Sequence, residues 1–325
     1  MTAPGDIAAA LIGGSIGDIQ PVGGGRNSRV YRVRSNGTDY ALKQYPPRSG
    51  DPRDRLGTEA KALRLMERHG IARVPRFLAT DERHGFSLLS WLDGEPVDAP
   101  MAADIDQAAG FLASLHAHRH DDPAAALPPA SEACLSGREI VRQIRARLDT
   151  LDAAGDPGLR VFLEGPFTGR LAGLVSAAER LAGFEADLPP EWRSPVPSDF
   201  GFHNVMRQAD GALAFFDFEY FGWDDPVKLT ADVILHPGTV LDPALRQRFR
   251  RAAEAIYGGD PGFAPRLAAY YPLFALRWAL ILLNEFLPNR WQQRIAAGAA
   301  EEWADAKGRQ LAKAEAMLDR IGEGA

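Results

Sequence analysis

The sequence is poor in cysteine: Cys134 is the single one among 325 residues. One thiol excludes an intramolecular disulfide framework and any zinc or iron–sulfur site that is built from several cysteines. A chain with so little cysteine suits a reducing compartment such as the cytosol. Because no candidate base lies near Cys134 in the sequence, we expect a buried apolar side chain there and not a nucleophile.

The sequence also lacks an excess of positive charge and a long apolar run. Lysine and arginine number 37 against 43 aspartates and glutamates, and this net charge of -6 disfavours a nucleic-acid partner. The first residues lack the basic segment of a signal peptide. The most apolar stretch, residues 273–283, contains Arg277 and is too short to span a bilayer. We therefore expect a cytoplasmic protein with no membrane partner, as a monomer or homodimer.

The pattern of the chain changes at about residue 92. Before it, alternating segments on either side of Ser35-Asn36-Gly37 predict a β-hairpin, and residues 76–79 and 86–91 predict two more strands. Leucines at helical spacing predict one helix over residues 52–69. Helical patterns then cover residues 101–118, 131–151, 167–184, 243–257, 264–286 and 289–321. The sequence predicts an α+β fold with two lobes: a small β-rich N-lobe, residues 1–92, and a larger α-helical C-lobe, residues 93–325.

One segment combines acidic, amide and aromatic side chains in a spacing that suits phosphate chemistry. Asp199 and Asn204 lie five positions apart, and Asp217 follows an apolar strand thirteen positions later. The turn at residues 208–211 predicts a hairpin that brings these groups together. Phosphoryl transfer needs a carboxylate that accepts a proton, and a carboxylate with an amide that hold Mg²⁺. For the Asp199–Asn204 segment alone, or for the segment around Asp217 alone, the competing interpretation is an Asp/Asn-rich loop with local turn hydrogen bonds.

The N-terminal part offers a candidate phosphate site. Lys43 lies on the second strand of the hairpin, and Glu59 follows sixteen residues later inside the predicted helix, with Glu67 as the second candidate for its ion-pair partner. Such a pair would hold the lysine against the α- and β-phosphates of a nucleotide. Before the first hairpin strand, a glycine-rich segment predicts backbone contacts to phosphates, although a flexible connector has the same composition. Its candidate nucleotide-binding residues are Gly24, Gly25, Asn27 and Ser28.

In this order, the motifs resemble the aminoglycoside phosphotransferase and choline kinase superfamily, the protein-kinase-like kinases of small molecules. The catalytic loop of that family usually reads H-G-D-x-x-x-x-N. The resemblance implies a two-lobed kinase-like fold, ATP and Mg²⁺ as cofactors, Asp199 as the catalytic base, and Asn204 and Asp217 as metal ligands. It also places Leu89 and Trp91 where the inter-lobe hinge meets adenine.

The chain departs from the family pattern at two places. Pro197-Ser198 stands where the family has His-Gly, and His203 precedes Asn204. Ser198 and His203 are the candidates for the scaffolding role of the missing histidine. Leu229 stands where the family has a second aspartate in D-P-x-x-D, and Asp232 is the candidate substitute.

The acceptor is expected between the catalytic loop and the C-terminal helices. The candidate residues there are Glu219, Trp223, Asp224 and Glu285. Mixed charges along the last helices favour a sugar, amino sugar or other polyol, while aminoglycosides and amino alcohols stay open. His116 and His118 lie two apart on a predicted helix and face apart, so no zinc site is predicted from them.

These observations give a first hypothesis and two alternatives. The first is a kinase that transfers the γ-phosphoryl group of ATP to a hydroxyl of a small molecule. The second is a nucleotide-binding pseudokinase or scaffold, which the altered residues Pro197-Ser198 and Leu229 motivate. A nucleotidyl or protein phosphotransferase built on the same lobes is the third.

Overall fold

The computed structural model describes residues 3–23, 28–47, 53–121, 124, 126–239, 241–296 and 301–324. It has the predicted α+β class, with a sheet in the N-terminal part and mostly helices after it. Contacts divide the chain into two compact units: Met1–Ser131 with Ser194–Trp223, and Glu132–Arg193 with Asp224–Ala325. This division differs from the lobe boundary after residue 92, which stays a prediction.

The first unit contains a five-stranded antiparallel sheet. In chain order its strands are β1 (Asp18–Val22), β2 (Arg29–Ser35), β3 (Thr38–Gln44), β4 (Phe77–Asp81) and β5 (Phe86–Ser90), and in space they follow the order β1-β2-β3-β5-β4. The predicted hairpin is present, with Asn36 and Gly37 at φ 49° and 77° in the turn between β2 and β3. Left-handed conformations at both turn residues match the right-handed twist of the strands.

Among the described residues of this unit, three α-helices accompany the sheet: α1 (Pro4–Ile12), α2 (Arg55–Arg68) and α3 (Ala102–Ala117). The predictions missed α1, whose Ile7 packs in one core cluster with Leu42 of β3 and Leu88 of β5. Helix α2 begins at Arg55 and not at residue 52, because the side chain of Asp54 caps it by accepting from the Gly57 amide. The predicted α3 agrees with the structure to within one residue at each end.

The first unit also contains the hairpin that was predicted between Asn204 and Asp217. Its strands are β8 (Val205–Arg207) and β9 (Leu213–Phe215), which form a three-stranded sheet with β6 (Glu95–Pro96). The remaining short strands, β7 (Ser194–Val196) and β10 (Gly222–Asp224), pair with each other. Val205 pairs with Phe215 in the ladder, so Asn204 and the chain after β9 become neighbours.

The second unit is helical. Its helices are Gly137–Asp152, Pro157–Phe162, Thr168–Ala178, Pro226–Leu235, Pro243–Tyr257, Phe263–Leu282, Pro288–Ala296 and Trp303–Asp319. The helix predicted from residue 131 begins at Gly137, because Ser136 caps it by accepting from the Glu139 amide. The single helix predicted over residues 289–321 is wrong: two helices occupy that range.

Helix Pro226–Leu235 buries an ion-pair network inside the second unit. The Nζ of Lys228 lies 3.5 Å from Asp224 and 3.0 Å from Asp232. Asp232 also accepts a 2.8 Å hydrogen bond from the indole of Trp278, while Leu229 packs in the core. Asp232 therefore takes part in a buried ion-pair network. Its role as the substitute for the family's second aspartate stays a prediction.

Cys134 is buried in the second unit, as expected from its surroundings in the sequence. Burial raises the pKa of its thiol well above the usual range, and Arg277 offsets this only partly. A thiol that stays protonated is a poor nucleophile.

The longest apolar helical segment is Phe263–Phe286, with 24 residues, so it extends beyond the stretch considered in the sequence. By length and composition alone it could cross a membrane, yet 61% of its most apolar window is buried inside the protein. Burial of this extent is typical of a core helix.

Candidate active site

Lys43 lies among three carboxylates of the first unit, two of them buried and the third, Asp217, partly exposed. We call these residues the lysine cluster (Lys43, Glu59, Asp217 and Glu219). Its Nζ lies 2.8 Å from Glu59, 2.6 Å from Asp217 and 3.3 Å from Glu219. Burial opposes the charge on Lys43, but Glu59 and then Asp217 outweigh it and hold the pKa of the lysine well above its usual value. The lysine is therefore a fixed positive charge that can face an anion.

Strand alternation and helix α2 bring the cluster together. On β3, Leu42 points into the core beneath α1, so Lys43 points to the opposite face of the sheet. Glu59 lies on the buried face of α2 and also accepts a 3.0 Å hydrogen bond from the Phe218 amide. The competing candidate Glu67 is exposed and lies 3.5 Å from Arg76. The structure thus pairs Lys43 with the glutamate that the sequence ranked first.

Tyr45 belongs to this site, although no pattern in the sequence pointed to it. Its hydroxyl donates a short hydrogen bond to Glu59 and lies 2.9 Å from the Ser87 hydroxyl. Burial and the charge of Glu59 raise the pKa of Tyr45 well above its usual value, so the hydroxyl stays a donor. Tyr45 therefore helps to hold the carboxylate that holds Lys43.

Replacing Tyr45 by phenylalanine is expected to lower the free energy of unfolding by about 1–2 kcal/mol, because Glu59 loses a buried donor while keeping Lys43. Denaturant unfolding of Tyr45→Phe against wild type measures this. Tyr40→Phe on β3 is the matched control, since it removes the same hydroxyl from the same strand region. An equal effect of the two changes would contradict the role of the Tyr45 hydroxyl.

Glu219 is held by residues that the sequence did not connect to it. Arg55, the first residue of α2, places its Nη1 2.5 Å from Glu219, and the Ser28 hydroxyl donates to Glu219 at 2.6 Å. The positive charge of an arginine is unfavourable at a helix N-terminus because of the helix dipole. The position of Arg55 could therefore have indicated that it pairs with an acidic residue. The structure places Glu219 in the lysine cluster. Its role toward an acceptor stays a prediction.

The segment from Asp199 to Asn204 forms a loop that is stabilised from within. The Asn204 side-chain amide donates to the Asp199 carbonyl at 3.0 Å, and the Asn204 backbone amide donates to Gly201. The Asp199 carboxylate lies 3.2 Å from Nε2 of His203 and is 38% exposed. An accessible carboxylate on a fixed loop can approach a bound hydroxyl.

Ser198, immediately before this carboxylate, has a left-handed backbone with φ 67°. Its hydroxyl donates to the Ser131 carbonyl at 3.1 Å. Ser198 and His203, the two candidates for the scaffolding role, therefore contact the loop in different ways: Ser198 anchors its start, and His203 contacts the carboxylate itself.

A stack of phenylalanines positions the loop and the strand that leads to Asp217. Phe111 on α3 stacks on Phe215 of β9 with ring centroids 4.3 Å apart, and on Phe200 of the loop at 5.9 Å. Such offset aromatic pairs add to the free energy of burial by about 0.5–1.5 kcal/mol each. The same ring thus fixes both acidic segments.

The oxygen atoms of Asp217 and Asn204 suit a magnesium ion. The Phe216 amide donates to the Asn204 carbonyl at 3.1 Å, so the two segments run side by side. The Asn204 amide nitrogen donates inside the loop, so the side-chain oxygen of Asn204 is the atom that can act as a ligand. On Asp217, Lys43 contacts Oδ1. Burial raises the pKa of Asp217 to about 6, against the opposing charge of Lys43. One carboxylate and one amide oxygen fit the preference of Mg²⁺ for hard oxygen ligands.

The remaining residues predicted to bind the nucleotide are Gly24, Gly25, Asn27, Leu89 and Trp91. Gly24, Gly25 and Asn27 lie outside the described residues. Leu89 is buried on β5. The Trp91 indole donates to Asp93 at 3.0 Å, and the Arg32 guanidinium lies over its ring. The adenine contacts of Leu89 and Trp91 stay predictions.

The predicted acceptor residues are divided between the two units. In the first, the Trp223 indole donates to the Ala124 carbonyl at 3.0 Å. In the second, Asp224 is fully buried, and burial raises its pKa to about 6 despite the charge of Lys228. Glu285 lies 2.7 Å from Arg294. Their contact with an acceptor stays a prediction.

Comparison with known protein families shows to which family the chain belongs. Residues 18–269 match the model of a family described as the phosphotransferase enzyme family. The chain belongs to this family. The predicted superfamily is thereby confirmed, and the chain is a phosphotransferase, as predicted.

Solved structures of other phosphotransferases share the kinase-like fold. A spectinomycin phosphotransferase in complex with ADP and spectinomycin has a TM-score of 0.63 at 16% identity, covering 98% of each chain. The choline kinase LicA from Streptococcus pneumoniae has a TM-score of 0.59 at 16% identity, covering 97% of this chain and 96% of its own. The macrolide 2'-phosphotransferase MphH from Brachybacterium faecium has a TM-score of 0.59 at 18% identity, covering 91% and 98%. None of the curated proteins matches the sequence.

Proposed function

We propose that this phosphotransferase moves the γ-phosphoryl group of ATP to a hydroxyl of a small molecule and depends on Mg²⁺. The observation that carries the proposal is the lysine cluster: Lys43 contacts both Glu59 and Asp217 within one unit. Asn204 lies beside the Asp217 segment, and the Asp199 carboxylate is on the same loop as Asn204. Phosphoryl transfer is catalysed mainly by positioning and by charge stabilisation, and these groups provide both.

In the proposed reaction, Asp199 orients the acceptor hydroxyl and receives its proton. The hydroxyl oxygen forms a bond to the γ-phosphorus, the bond from that phosphorus to the bridging oxygen breaks, and ADP leaves with the electron pair. Lys43, held by Glu59, offsets the negative charge of the nucleotide phosphates. Asp217 and Asn204 would hold Mg²⁺, which supplies positive charge at the phosphate oxygens.

For the acceptor we propose a sugar, amino sugar, aminoglycoside or amino alcohol. The similar structures are those of a spectinomycin phosphotransferase, a macrolide 2'-phosphotransferase and a choline kinase. Spectinomycin, macrolides and choline are all small molecules that carry a hydroxyl group. The helices after residue 264 carry both signs of charge, which gives no preference for a strongly cationic acceptor. A neutral or singly charged polyol is therefore the first group to test.

The test is a panel of sugars, amino sugars, aminoglycosides, macrolides and amino alcohols, incubated with ATP and MgCl₂. The expected result is ADP release with at least one acceptor, together with a product that is heavier by one phosphoryl group. Reactions with EDTA in place of MgCl₂ are expected to lose this activity.

Two results would contradict the proposal. Thermal stabilisation by ATP without ADP release across the panel would favour a nucleotide-binding pseudokinase. A product that gains a nucleotide mass would instead indicate nucleotidyl transfer. The Asp199 and Lys43 variants described in the Discussion show whether any observed activity comes from this site.

A further inference from the structure

A second group of metal-ligating side chains lies outside the active site, where α2 and α3 end. His69 caps the C-terminus of α2, His118 caps the C-terminus of α3, and Asp121 follows in the next turn. Their ligand atoms all lie within 4.8 Å of one another. We call these three residues the histidine site. They are half-buried and belong to the first unit.

The distances in the histidine site are close to those around a bound metal. Oδ2 of Asp121 lies 2.8 Å from Nδ1 of His118 and 3.5 Å from Nδ1 of His69. Ligand atoms at about 2.1 Å from a tetrahedral zinc ion are separated from each other by about 3.4 Å. The two separations from Asp121 lie on either side of this value, and side-chain rotation can bring the three ligand atoms around one ion.

The two ring nitrogens of His69 make few hydrogen bonds to the residues that the structure describes. Its Nδ1 is 3.5 Å from Asp121, which is beyond the usual range of an N–H···O hydrogen bond. Its Nε2 is buried and has no hydrogen-bond partner among the residues that the structure describes. An imidazole that makes few hydrogen bonds and lies beside a carboxylate and a second imidazole has the composition of a metal site.

The donor set of the histidine site selects the class of metal. The rings of His69 and His118 are 3.9 Å apart and inclined by 22°. Because an imidazole lone pair lies in the plane of its ring, both rings turn out of this stack to face one ion. Two histidines and one carboxylate suit zinc and similar transition metals, whereas Mg²⁺ prefers oxygen ligands alone.

We infer that His69, His118 and Asp121 form a binding site for a divalent transition metal of the zinc type, separate from the catalytic Mg²⁺ site. Three protein ligands leave a fourth position for water. Bound metal joins the end of α2 to the turn after α3. Because α2 also carries Glu59, the metal stabilises the helix that holds Lys43.

The test is a zinc titration of the whole protein in excess MgCl₂, which competes for the oxygen ligands of the active site. Competition with a chromophoric chelator measures affinity, and thermal unfolding gives a second readout. The expected result is one equivalent of Zn²⁺ bound with a raised Tm in wild type, and an affinity lower by at least about tenfold in His69→Gln and in His118→Gln.

His84→Gln is the matched control, because His84 and Asp81 form a histidine–aspartate pair at 2.7 Å without a second histidine in the cluster. It is expected to bind Zn²⁺ as wild type does. Equal zinc affinity in wild type, His69→Gln and His118→Gln would overturn the site. So would the absence of zinc binding by wild type, which would leave the group as a hydrogen-bonded cluster only.

Discussion

Replacing Asp199 by asparagine is expected to lower kcat by about 10²- to 10⁴-fold, the usual contribution of a general base. Asparagine keeps the shape of the side chain and can still contact His203, but it cannot accept the proton of the acceptor hydroxyl. The carboxylate is 38% exposed, and asparagine fills the same space, so we expect only a small effect on folding. The measurement is steady-state ADP release with the acceptor found in the panel, at saturating ATP.

The matched control is Asp210→Asn, in the hairpin turn between β8 and β9. Asp210 is an exposed aspartate whose side chain accepts from the Ala212 amide and from Arg73, and asparagine preserves the first of these contacts. We expect wild-type kcat for this variant, and only a small loss of the free energy of unfolding, because its ion pair is exposed. Wild-type kcat in Asp199→Asn would show that another group takes the proton, and the assigned mechanism would be wrong.

Replacing Lys43 by methionine is expected to lower both stability and activity. Glu59 and Glu219 are buried beside Lys43, with side chains 1% exposed, and removing the cation leaves carboxylates without their shared partner. Breaking a buried ion pair in this way typically costs about 3–5 kcal/mol of the free energy of unfolding. The KM for ATP is expected to rise as well, since the phosphates lose a positive charge. Urea unfolding and ATP-dependent kinetics measure the two effects.

Lys61→Met provides the control for this change, because Lys61 lies on the exposed face of α2 two residues after Glu59. Its unfolding midpoint and KM are expected to match those of wild type. Kinetics of Lys43→Met should be recorded at a temperature where its unfolding curve shows a folded protein. A Lys43→Met variant with the wild-type unfolding midpoint would mean that the carboxylates need no cation, contrary to the burial argument.

Local patterns in the sequence were sufficient to predict the β2–β3 hairpin, helix α2, and the hairpin between Asn204 and Asp217. Each depends on residues within a few positions of one another, such as Asn36-Gly37 in a tight turn. The pairing of Lys43 with Glu59 was predicted from the order of these elements, whereas the contact of Lys43 with Asp217 was not predicted. The sequence was therefore informative about both the fold class and the centre of the site.

Contacts between distant positions could not be predicted in the same way. Arg55 meets Glu219 across 164 positions, and Phe218 meets Glu59 across 159. His69 and His118 come together only because two helices end at the same place. Helix Pro226–Leu235 was overlooked despite an available local signal, since Asp225 caps it and proline occupies its first position.

The left-handed backbone of Ser198 has a consequence for recognising distant members of this family. At that position the family pattern has glycine, which adopts φ 67° without the steric penalty that a side chain adds. What the loop requires is therefore a conformation, and serine meets the requirement while gaining a hydrogen bond to Ser131. A search pattern that demands the letters His-Gly-Asp would reject this chain. A pattern that demands a left-handed residue before the aspartate would retain it.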